Sequence, residues 1–280
     1  MTPVRPDDDT AAAERLFDQL ADGYDRAALR FFPFAADRLA RRLAPRPGEK
    51  ILDVATGTGA VAIAVGQRLT GGGRVLAIDI SERMLDRAYA NIRRMALHNV
   101  DLHRMDASAL EFRDGYFDAL TCSCGLCLLP DMAAALREWR RVLRPGGRLL
   151  VATFGPTAFA PLAVWFCEQL REAGGPGLDP MGDFPWHRLA AAERMEELLA
   201  AAGFLATETG TEQFGYHLQS PNDWWDIVWY TGFRAALAGL DGAALARFRD
   251  DHLARIAAQI TGDGLWMDVP VRFTAAHVPE

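Results

Sequence analysis

The segment from Ile51 to Gly66, ILDVATGTGAVAIAVG, constrains the fold more than any other part of the 280-residue chain. Apolar residues lead up to Asp53, a short turn carries Gly57 and Gly59, and an Ala/Val/Ile-rich stretch follows at once. Glycine has no Cβ and accepts positive φ, and a helix N-terminus offers unpaired N–H groups, so a ligand can lie directly on such a turn. The segment therefore predicts a strand, a turn and a helix around a nucleotide-like cofactor.

The glycine turn alone does not identify this cofactor. Gly57, Gly59 and Ala62 also satisfy the G-x-G-x-x-G/A dinucleotide fingerprint. NAD and S-adenosylmethionine are both compatible with the turn, so the choice between them depends on the rest of the sequence.

Charge and hydropathy exclude several classes of partner. The formal net charge is −7 and the pI is near 5.4, with basic residues scattered along the chain, so nucleic acid is not expected as a partner. No segment reaches the ~18 apolar residues of a membrane span. The acidic start, MTPVRPDDDT, does not resemble a signal sequence, and we expect a cytoplasmic protein.

Strand and helix patterns alternate through the middle of the chain and predict the α/β class, with a parallel sheet and helices on both faces. The predicted strands are 50–55, 74–79, 101–104, 116–122 and 147–153, and the predicted helices are 58–69, 82–97 and 131–143. In the second helix we expect Leu85, Ala88, Tyr89, Ile92 and Ala96 to share the stripe that covers the sheet.

The two ends of the chain have looser patterns. Residues 1–9 are predicted to be disordered and to precede two helices with a break near Pro33. After an insertion from residue 155, we predict a helix near 195–202, strands near 205–213 and 267–278, and two helices between those strands. The expected organisation is a helical cap (1–48), a cofactor-binding core (49–155) and substrate-cap insertions with the last two strands (156–280), all in one domain.

Five segments after residue 49 together resemble the class I S-adenosylmethionine-dependent methyltransferases in their order and spacing. They are ILDVATGTG, VLAIDIS, LHRMDASAL, YFDALTCSCGLCLLPD and LREWRRVLRPGGRLLVATF, within residues 50–154. The upstream LFDQLADGYD resembles the amino-terminal helix of the ubiquinone/menaquinone methyltransferase group. The resemblance implies a Rossmann-like, seven-stranded, mostly parallel sheet with an antiparallel last strand, a helical lid over the carboxyl-terminal strand ends, and methyl transfer that leaves S-adenosylhomocysteine.

The resemblance also implies a set of cofactor-binding residues. Asp79, at the end of the second strand, would hold the ribose hydroxyls, a role that suits NAD as well. Asp106 would accept from the adenine amino group, and Asp53 would position the methionine ammonium directly or through water. The full implied set is Tyr24, Asp53, Ala55, Gly57, Gly59, Asp79, Ile80, Met84, Asp106, Ala107, Thr121 and Cys122.

Aromatic residues outside this set suggest a pocket for a planar or apolar small-molecule acceptor. The expected pocket residues are Phe31, Phe34, Trp225, Trp229 and Phe233. In the helix predicted to start at Ser220, the last three share one face, and Trp224 shares another face with Ile227 and Val228. One face can therefore join the core while the other meets a ligand, and the alternative is that both faces are core.

The catalytic residues stay open at this stage. Methyl transfer is an in-line displacement that positioning can accelerate, so it does not require a dedicated base. His187 and His217 are candidates for a base, but the sequence assigns neither. The fourth-strand loop lacks the D/N-P-P-Y sequence associated with methylation of base or amide nitrogen.

The crowded thiols Cys122, Cys124 and Cys127 are expected to be small buried residues, with a soft metal or an arsenical as the alternative ligand. No metal site is predicted. A nicotinamide-dependent oxidoreductase, and an S-adenosylmethionine-binding protein that transfers no methyl group, remain alternative functions. The sequence also leaves a homodimer open.

Overall fold

Strands of the computed structural model, which describes residues 6–280, combine into one seven-stranded sheet and one small two-stranded sheet. The strands are β1 (Lys50–Val54), β2 (Arg74–Asp79), β3 (Val100–Arg104), β4 (Phe117–Ser123), β5 (Leu143–Phe154), β6 (Leu205–Gln213), β7 (Tyr216–Leu218), β8 (Leu265–Met267) and β9 (Pro270–His277). The large sheet has the order β3-β2-β1-β4-β5-β9-β6, and β7 pairs with β8. The sequence predicted every strand of the large sheet and missed the small sheet.

The strand directions confirm the predicted mostly parallel sheet. Strands β1 to β5 pair in parallel, whereas β9 inserts antiparallel between β5 and β6. Because β1, β2, β3 and β4 run in the same direction, their carboxyl ends meet at one edge of the sheet. Ligands of open α/β sheets bind at this edge.

Helices cover both faces of the sheet. They are α1 (Pro6–Leu20), α2 (Phe31–Leu43), α3 (Ala60–Arg68), α4 (Glu82–Arg94), α5 (Met132–Val142), α6 (Leu162–Glu172), α7 (Ala192–Ala201), α8 (Pro221–Tyr230) and α9 (Gly242–Ala257). Short 3₁₀ helices occupy 21–23, 27–29, 126–128, 185–189 and 232–237. No described helix has the length and apolar character needed to cross a membrane.

Helix α4 illustrates how the local sequence fixes an element beside the site. The Ser81 hydroxyl accepts a hydrogen bond from the Met84 N–H and caps the helix. Leu85, Ala88 and Ile92 then bury one stripe at helical spacing, as predicted. The prediction was wrong for Tyr89, which is 56% exposed. It was also wrong for Ala96, because the helix ends at Arg94.

Two predictions for the amino-terminal region are corrected. Helix α1 begins at Pro6, inside the segment 1–9 that was predicted to be disordered, and residues 1–5 lie outside the described part of the chain. The interhelical break falls at residues 21–30 rather than at Pro33. Pro33 lies in the first turn of α2, where a missing N–H removes no intrahelical hydrogen bond.

The carboxyl-terminal region contains an aromatic core. Phe233 is fully buried, and its ring centroid lies 4.7 Å from that of Phe184 and 5.3 Å from that of Trp224. The Trp224 indole N–H donates to Nε2 of the buried His252 over 2.8 Å, and Nδ1 of this histidine lies 2.6 Å from Oε1 of Gln169. Aromatic packing and a satisfied polar network together hold α6, α8 and α9.

Candidate functional site

A cavity of about 770 Å³, counting space open to solvent, lies at the carboxyl edge of the sheet. Its walls come from α1 and the following turn, the glycine turn after β1, the ends of β2 and β3, and the loop after β4. The lining residues are Thr10, Ala13, Phe17, Tyr24, Ala55, Gly57, Asp79, Ile80, Met105, Asp106, Ala107, Ser123, Cys124, Gly125, Leu128, Leu129 and Pro130.

The structure brings part of the predicted cofactor set into this lining. The residues that line the cavity are Tyr24, Ala55, Gly57, Asp79, Ile80, Asp106 and Ala107. The predicted residues outside the lining are Asp53, Gly59, Met84, Thr121 and Cys122. These five lie in the sheet, in the turn before α3 and in α4, and their direct contact with a cofactor stays a prediction.

The glycine turn has the left-handed backbone that its sequence predicts. Ala55, Gly57 and Gly59 have φ values of 53°, 55° and 86°. A Cβ placed on Gly57 would lie 3.7 Å from the Tyr24 ring, inside the space that the cavity provides for a ligand. A Cβ on Gly59 would lie 3.2 Å from the Ala88 Cβ. Gly57 therefore keeps the cavity free, whereas Gly59 allows α3 and α4 to pack closely.

Asp79 is held in place by two backbone donors. Gly57 N–H donates to Oδ2 over 2.8 Å, and Ser81 N–H donates to Oδ1 over 3.0 Å. The carboxylate is 9% exposed. Burial raises its pKa, and the nearby Asp18 carboxylate acts in the same direction. Each carboxylate oxygen can accept further hydrogen bonds, so Asp79 can bind hydroxyl groups that enter the cavity.

Asp53 has a different environment below the turn. Its carboxylate accepts from the Thr56 hydroxyl over 2.6 Å and from the Thr121 hydroxyl over 2.7 Å. Burial raises the pKa of Asp53 to about 7. These bonds join the glycine turn to β4, so Thr121 and Asp53 support the floor of the cavity.

Two hydrogen bonds hold the loop after β3 in place. The Asp106 carboxylate accepts from Ser108 N–H over 2.7 Å, and the buried Trp139 indole donates to the Ala107 carbonyl over 2.8 Å. Asp106 and Ala107 therefore line the cavity from a loop that these bonds hold in place, and Ile80 lines the same cavity. This arrangement fits the predicted adenine subsite.

The amino-terminal helix covers the cavity, a role that sequence analysis did not predict for its individual residues. Thr10, Ala13 and Phe17 of α1 line it. Tyr24 stacks on Phe32 with ring centroids 4.8 Å apart, and burial raises the pKa of its hydroxyl well above the usual value. The signal that could have identified Phe17 is its place in LFDQLADGYD, together with its helical spacing from Leu20.

The cysteine-rich loop contributes one thiol to the lining. Cys122 and Cys127 are buried, as predicted, whereas Cys124 is half-buried, has a φ of 59° and lines the cavity. Burial raises the pKa of Cys124 and of Cys127 to about 12, so both thiols are protonated at neutral pH. Within residues 6–280 no group of His, Cys, Asp and Glu side chains has an arrangement suited to a metal ion.

A second cavity, of about 1240 Å³ with its open part, borders the first at Tyr24, Ala55, Gly57 and Ser123. It extends between α2 and α3, where Phe32 and several small apolar side chains share the wall with charged residues, among them Asp25, Arg26, Asp37 and Arg94. The two cavities therefore meet at the glycine turn, on either side of the Tyr24 ring.

The predicted acceptor residues do not line either cavity. Phe31 is fully buried and Phe34 is 51% exposed, while the intervening Phe32 lines the second cavity. Trp225 and Trp229 stack on each other with centroids 6.0 Å apart.

The helix predicted to carry Trp225, Trp229 and Phe233 on one face is shorter than expected. Helix α8 ends at Tyr230 because Thr231 is extended, so Phe233 lies in a separate 3₁₀ helix and belongs to the aromatic core. The geometry favours the alternative in which this segment is core.

The candidate histidines also lie elsewhere. His187 contacts the Pro180 carbonyl through Nε2 at 3.0 Å, and burial lowers its pKa. His217 packs against Trp266 in the small sheet. The titratable side chains that line the first cavity are Tyr24, Asp79, Asp106 and Cys124.

Comparison with known proteins gives consistent matches. The sequence model of the ubiE/COQ5 methyltransferase family matches residues 7–170. Nocamycin O-methyltransferase of Saccharothrix syringae is 28% identical over 94% of this chain and 97% of its own length. Demethylmenaquinone methyltransferase of Geobacillus stearothermophilus is 31% identical over 72% of this chain and 92% of its own length.

Among solved structures, the chain is similar to phosphoethanolamine N-methyltransferase 2 of Haemonchus contortus in complex with phosphomonomethylethanolamine and S-adenosylhomocysteine. The TM-score is 0.54 at 19% identity, over 93% of this chain and 60% of that one. At this identity the similarity establishes the shared fold.

Proposed function

The chain belongs to the ubiE/COQ5 methyltransferase family, and we propose that it transfers a methyl group from S-adenosylmethionine to a small apolar or aromatic acceptor. The observation that carries this proposal is the pairing of Asp79 with the open glycine turn. The Gly57 backbone approaches the cavity without a side chain, and the same backbone orients the Asp79 carboxylate toward the cavity.

The residues present fit this cofactor from one end to the other. Asp79 would accept from both ribose hydroxyls, and Asp106 would accept from the adenine amino group, with the ring between Ile80 and Ala107. The methionine part would lie along Ala55 and Gly57 toward Ser123. The lining therefore offers acceptors for the hydroxyl and amino donors of a nucleoside, and apolar side chains for its rings.

When bound, S-adenosylmethionine supplies a methyl group on a sulfonium whose departure needs no protonation. The chain's contribution is to orient the reactants and to exclude water. Phe17, Tyr24 and Leu128 form apolar walls around the cavity, and α1 covers it. This site can therefore work by positioning, without a dedicated base.

We place the acceptor where the two cavities meet, beside Tyr24 and Phe32. Their stacked rings offer a flat apolar surface. The names of the two similar enzymes, one acting on nocamycin and one on demethylmenaquinone, support a small-molecule acceptor of this character.

Titration calorimetry tests the cofactor assignment. The protein is titrated with S-adenosylmethionine, S-adenosylhomocysteine and NAD, and we expect binding of the first two. Asp79→Ala should weaken that binding at least tenfold, because a hydrogen bond to a charged group contributes about 1.5–3 kcal/mol. Asp101→Ala is the matched control, since this exposed carboxylate on β3 pairs with Arg74 away from the cavity.

Binding of NAD alone would contradict the assignment and favour the oxidoreductase. A screen of aromatic and apolar acceptors with methyl-labelled cofactor then tests transfer itself. Tight cofactor binding without transfer to any acceptor would instead support a protein that binds the cofactor and transfers no methyl group.

A further inference from the structure

A hydrogen-bonded connection runs from the covering helix α1 to the carboxylate proposed to hold the ribose. The Ser81 hydroxyl donates to Oδ1 of Asp18, on α1, over 2.5 Å. The Ser81 backbone N–H donates to Oδ1 of Asp79 over 3.0 Å. Its hydroxyl oxygen also accepts from Met84 N–H, and Ser81 is fully buried. Ser81 thus contacts the covering helix α1, the start of α4 and the proposed cofactor site.

The described side chains of helix α1 pack outside the main core. Leu20 and the following Ala21 pack with Met84 in a small separate buried cluster, with Leu16 and Phe17 against it. Other polar contacts are the ion pair of the part-buried Glu14 with Arg104, the bond from Arg234 to the Gln19 carbonyl, and the exposed pair Asp22–Arg83 just after the helix. Exposed ion pairs contribute little to stability. Among these contacts, the bond between Asp18 and Ser81 is the one that joins α1 to a fully buried residue.

Helix α1 lies over one side of the cavity. Phe17 and Ala13 line the cavity from the side of α1, so a bound nucleoside would lie beneath this helix. A ligand enclosed in this way exchanges with solvent when the covering element opens. Opening α1 requires that the bond between Asp18 and Ser81 breaks.

We propose that Ser81 is a positioning residue that couples closure of α1 to the orientation of Asp79, an inference that rests on the proposed cofactor site. In the closed form the Ser81 hydroxyl donates its hydrogen bond to Asp18. This contact holds Ser81 in place, and the Ser81 N–H in turn orients Asp79. Closure also brings the negative charge of Asp18 near that of Asp79. Ribose hydroxyls that donate to Asp79 offset this repulsion, so a bound cofactor favours the closed helix.

Asp18→Ala tests the coupling because Asp18 lies outside the cavity lining. We expect S-adenosylhomocysteine to dissociate about tenfold faster in stopped-flow displacement, the scale of one lost hydrogen bond to a charged group. Amide hydrogen exchange in residues 10–20 should also accelerate. The melting temperature should change little, because α1 packs outside the main core. Asp18→Asn keeps an acceptor oxygen for the Ser81 hydroxyl and should restore dissociation to within about threefold of the wild type.

Ser81→Ala removes the bond to Asp18 and also the cap of α4. A variant that loses only a helix cap is therefore the control. Asp241→Ala removes the cap of α9, where the Asp241 side chain accepts from Ala244 N–H over 2.7 Å. It should lower stability without accelerating ligand dissociation, whereas Ser81→Ala should do both.

An unchanged dissociation rate in Asp18→Ala, in a protein whose wild type binds the cofactor, would refute the coupling and leave the proposed function intact. Failure of the wild type to bind the cofactor in calorimetry would refute the function itself.

Discussion

The two halves of the chain contribute differently to the carboxyl edge of the sheet. The residues that line the two adjoining cavities all fall between Thr10 and Pro130. Residues 155–280 are richer in tryptophan, yet their large aromatic side chains pack against one another. Position at the end of a strand therefore marks the site more reliably than aromatic content does.

The physical reason lies in what each region leaves available for a ligand. The turn after β1 presents backbone without a side chain at Gly57, and the end of β2 presents the Asp79 carboxylate, to an open space. In the carboxyl-terminal region, by contrast, the Trp224 indole and both ring nitrogens of His252 are already engaged with protein partners. A ligand gains little from groups whose hydrogen bonds are satisfied.

The largest effect we expect is loss of cofactor binding in Gly57→Val. A branched side chain would occupy the cavity and resist a φ of 55°. Gly48→Val is the matched control, because Gly48 has a φ of 81° and a Cβ there would meet nothing within 4 Å. Calorimetry with circular dichroism should show two folded proteins, of which only the Gly48 variant binds. Normal binding by Gly57→Val would place the ligand elsewhere.

The aromatic core should affect stability and leave cofactor binding largely unchanged. Phe233→Ala removes a fully buried ring and should lower the free energy of unfolding by about 3–5 kcal/mol. Under conditions where it is folded, its affinity for S-adenosylhomocysteine should stay within about twofold of the wild type. Phe34→Ala truncates a ring that is 51% exposed and should change the free energy of unfolding by less than about 0.5 kcal/mol.

Urea titration and calorimetry on both phenylalanine variants measure these quantities. A Phe233→Ala protein that keeps its stability but binds cofactor or acceptor much more weakly would show that the carboxyl-terminal region contributes to the site.

The two regions should respond to pH in opposite directions. Burial raises the pKa of Asp53 to about 7, above its unfolded value near 3.9, so its contribution to stability is present at low pH and lost as pH rises toward 7. Burial lowers the pKa of His252 to about 4, below its unfolded value near 6.5, so its contribution is present above pH 6.5 and lost toward pH 4.

Comparison of Asp53→Asn and His252→Gln with the wild type isolates the contribution of each side chain to the pH dependence of stability. As pH rises from about 4 to 7, the free energy of unfolding of Asp53→Asn should increase relative to that of the wild type by up to about 1.4 kcal/mol per pH unit. The free energy of unfolding of His252→Gln, relative to that of the wild type, should fall as pH rises over the same interval. Urea midpoints from pH 4 to pH 8 measure both differences, and a difference that does not vary with pH would contradict the assigned protonation states.

Sequence reasoning succeeded where the determining pattern is local. Asp79, Gly57 and Asp106 follow predicted strands directly, and strand ends in a parallel sheet meet at one edge, so their convergence could be predicted. Phe31 and Phe34 could not be separated from Phe32 in this way. Adjacent residues of a helix point about 100° apart, and only packing against β5 and Tyr24 decides which of them faces a cavity.

Other features could not be predicted because they depend on contacts between distant segments. Met84, which was expected near the adenine, is fully buried against Leu20 and Ala21, and its contact with a cofactor stays a prediction. The role of Phe17 as a lining residue depends on where α1 lies against α4. The extent of α8 was overestimated because nothing local to the sequence marks Thr231 as extended.

Hydrogen–deuterium exchange with and without S-adenosylhomocysteine tests most directly the claim that the site is built before Pro130. We predict ligand-dependent protection of the amides in residues 10–24, 55–58, 79–84, 105–107 and 123–130, with no change in residues 221–257. Protection of 221–257 without protection of the glycine turn would contradict the account.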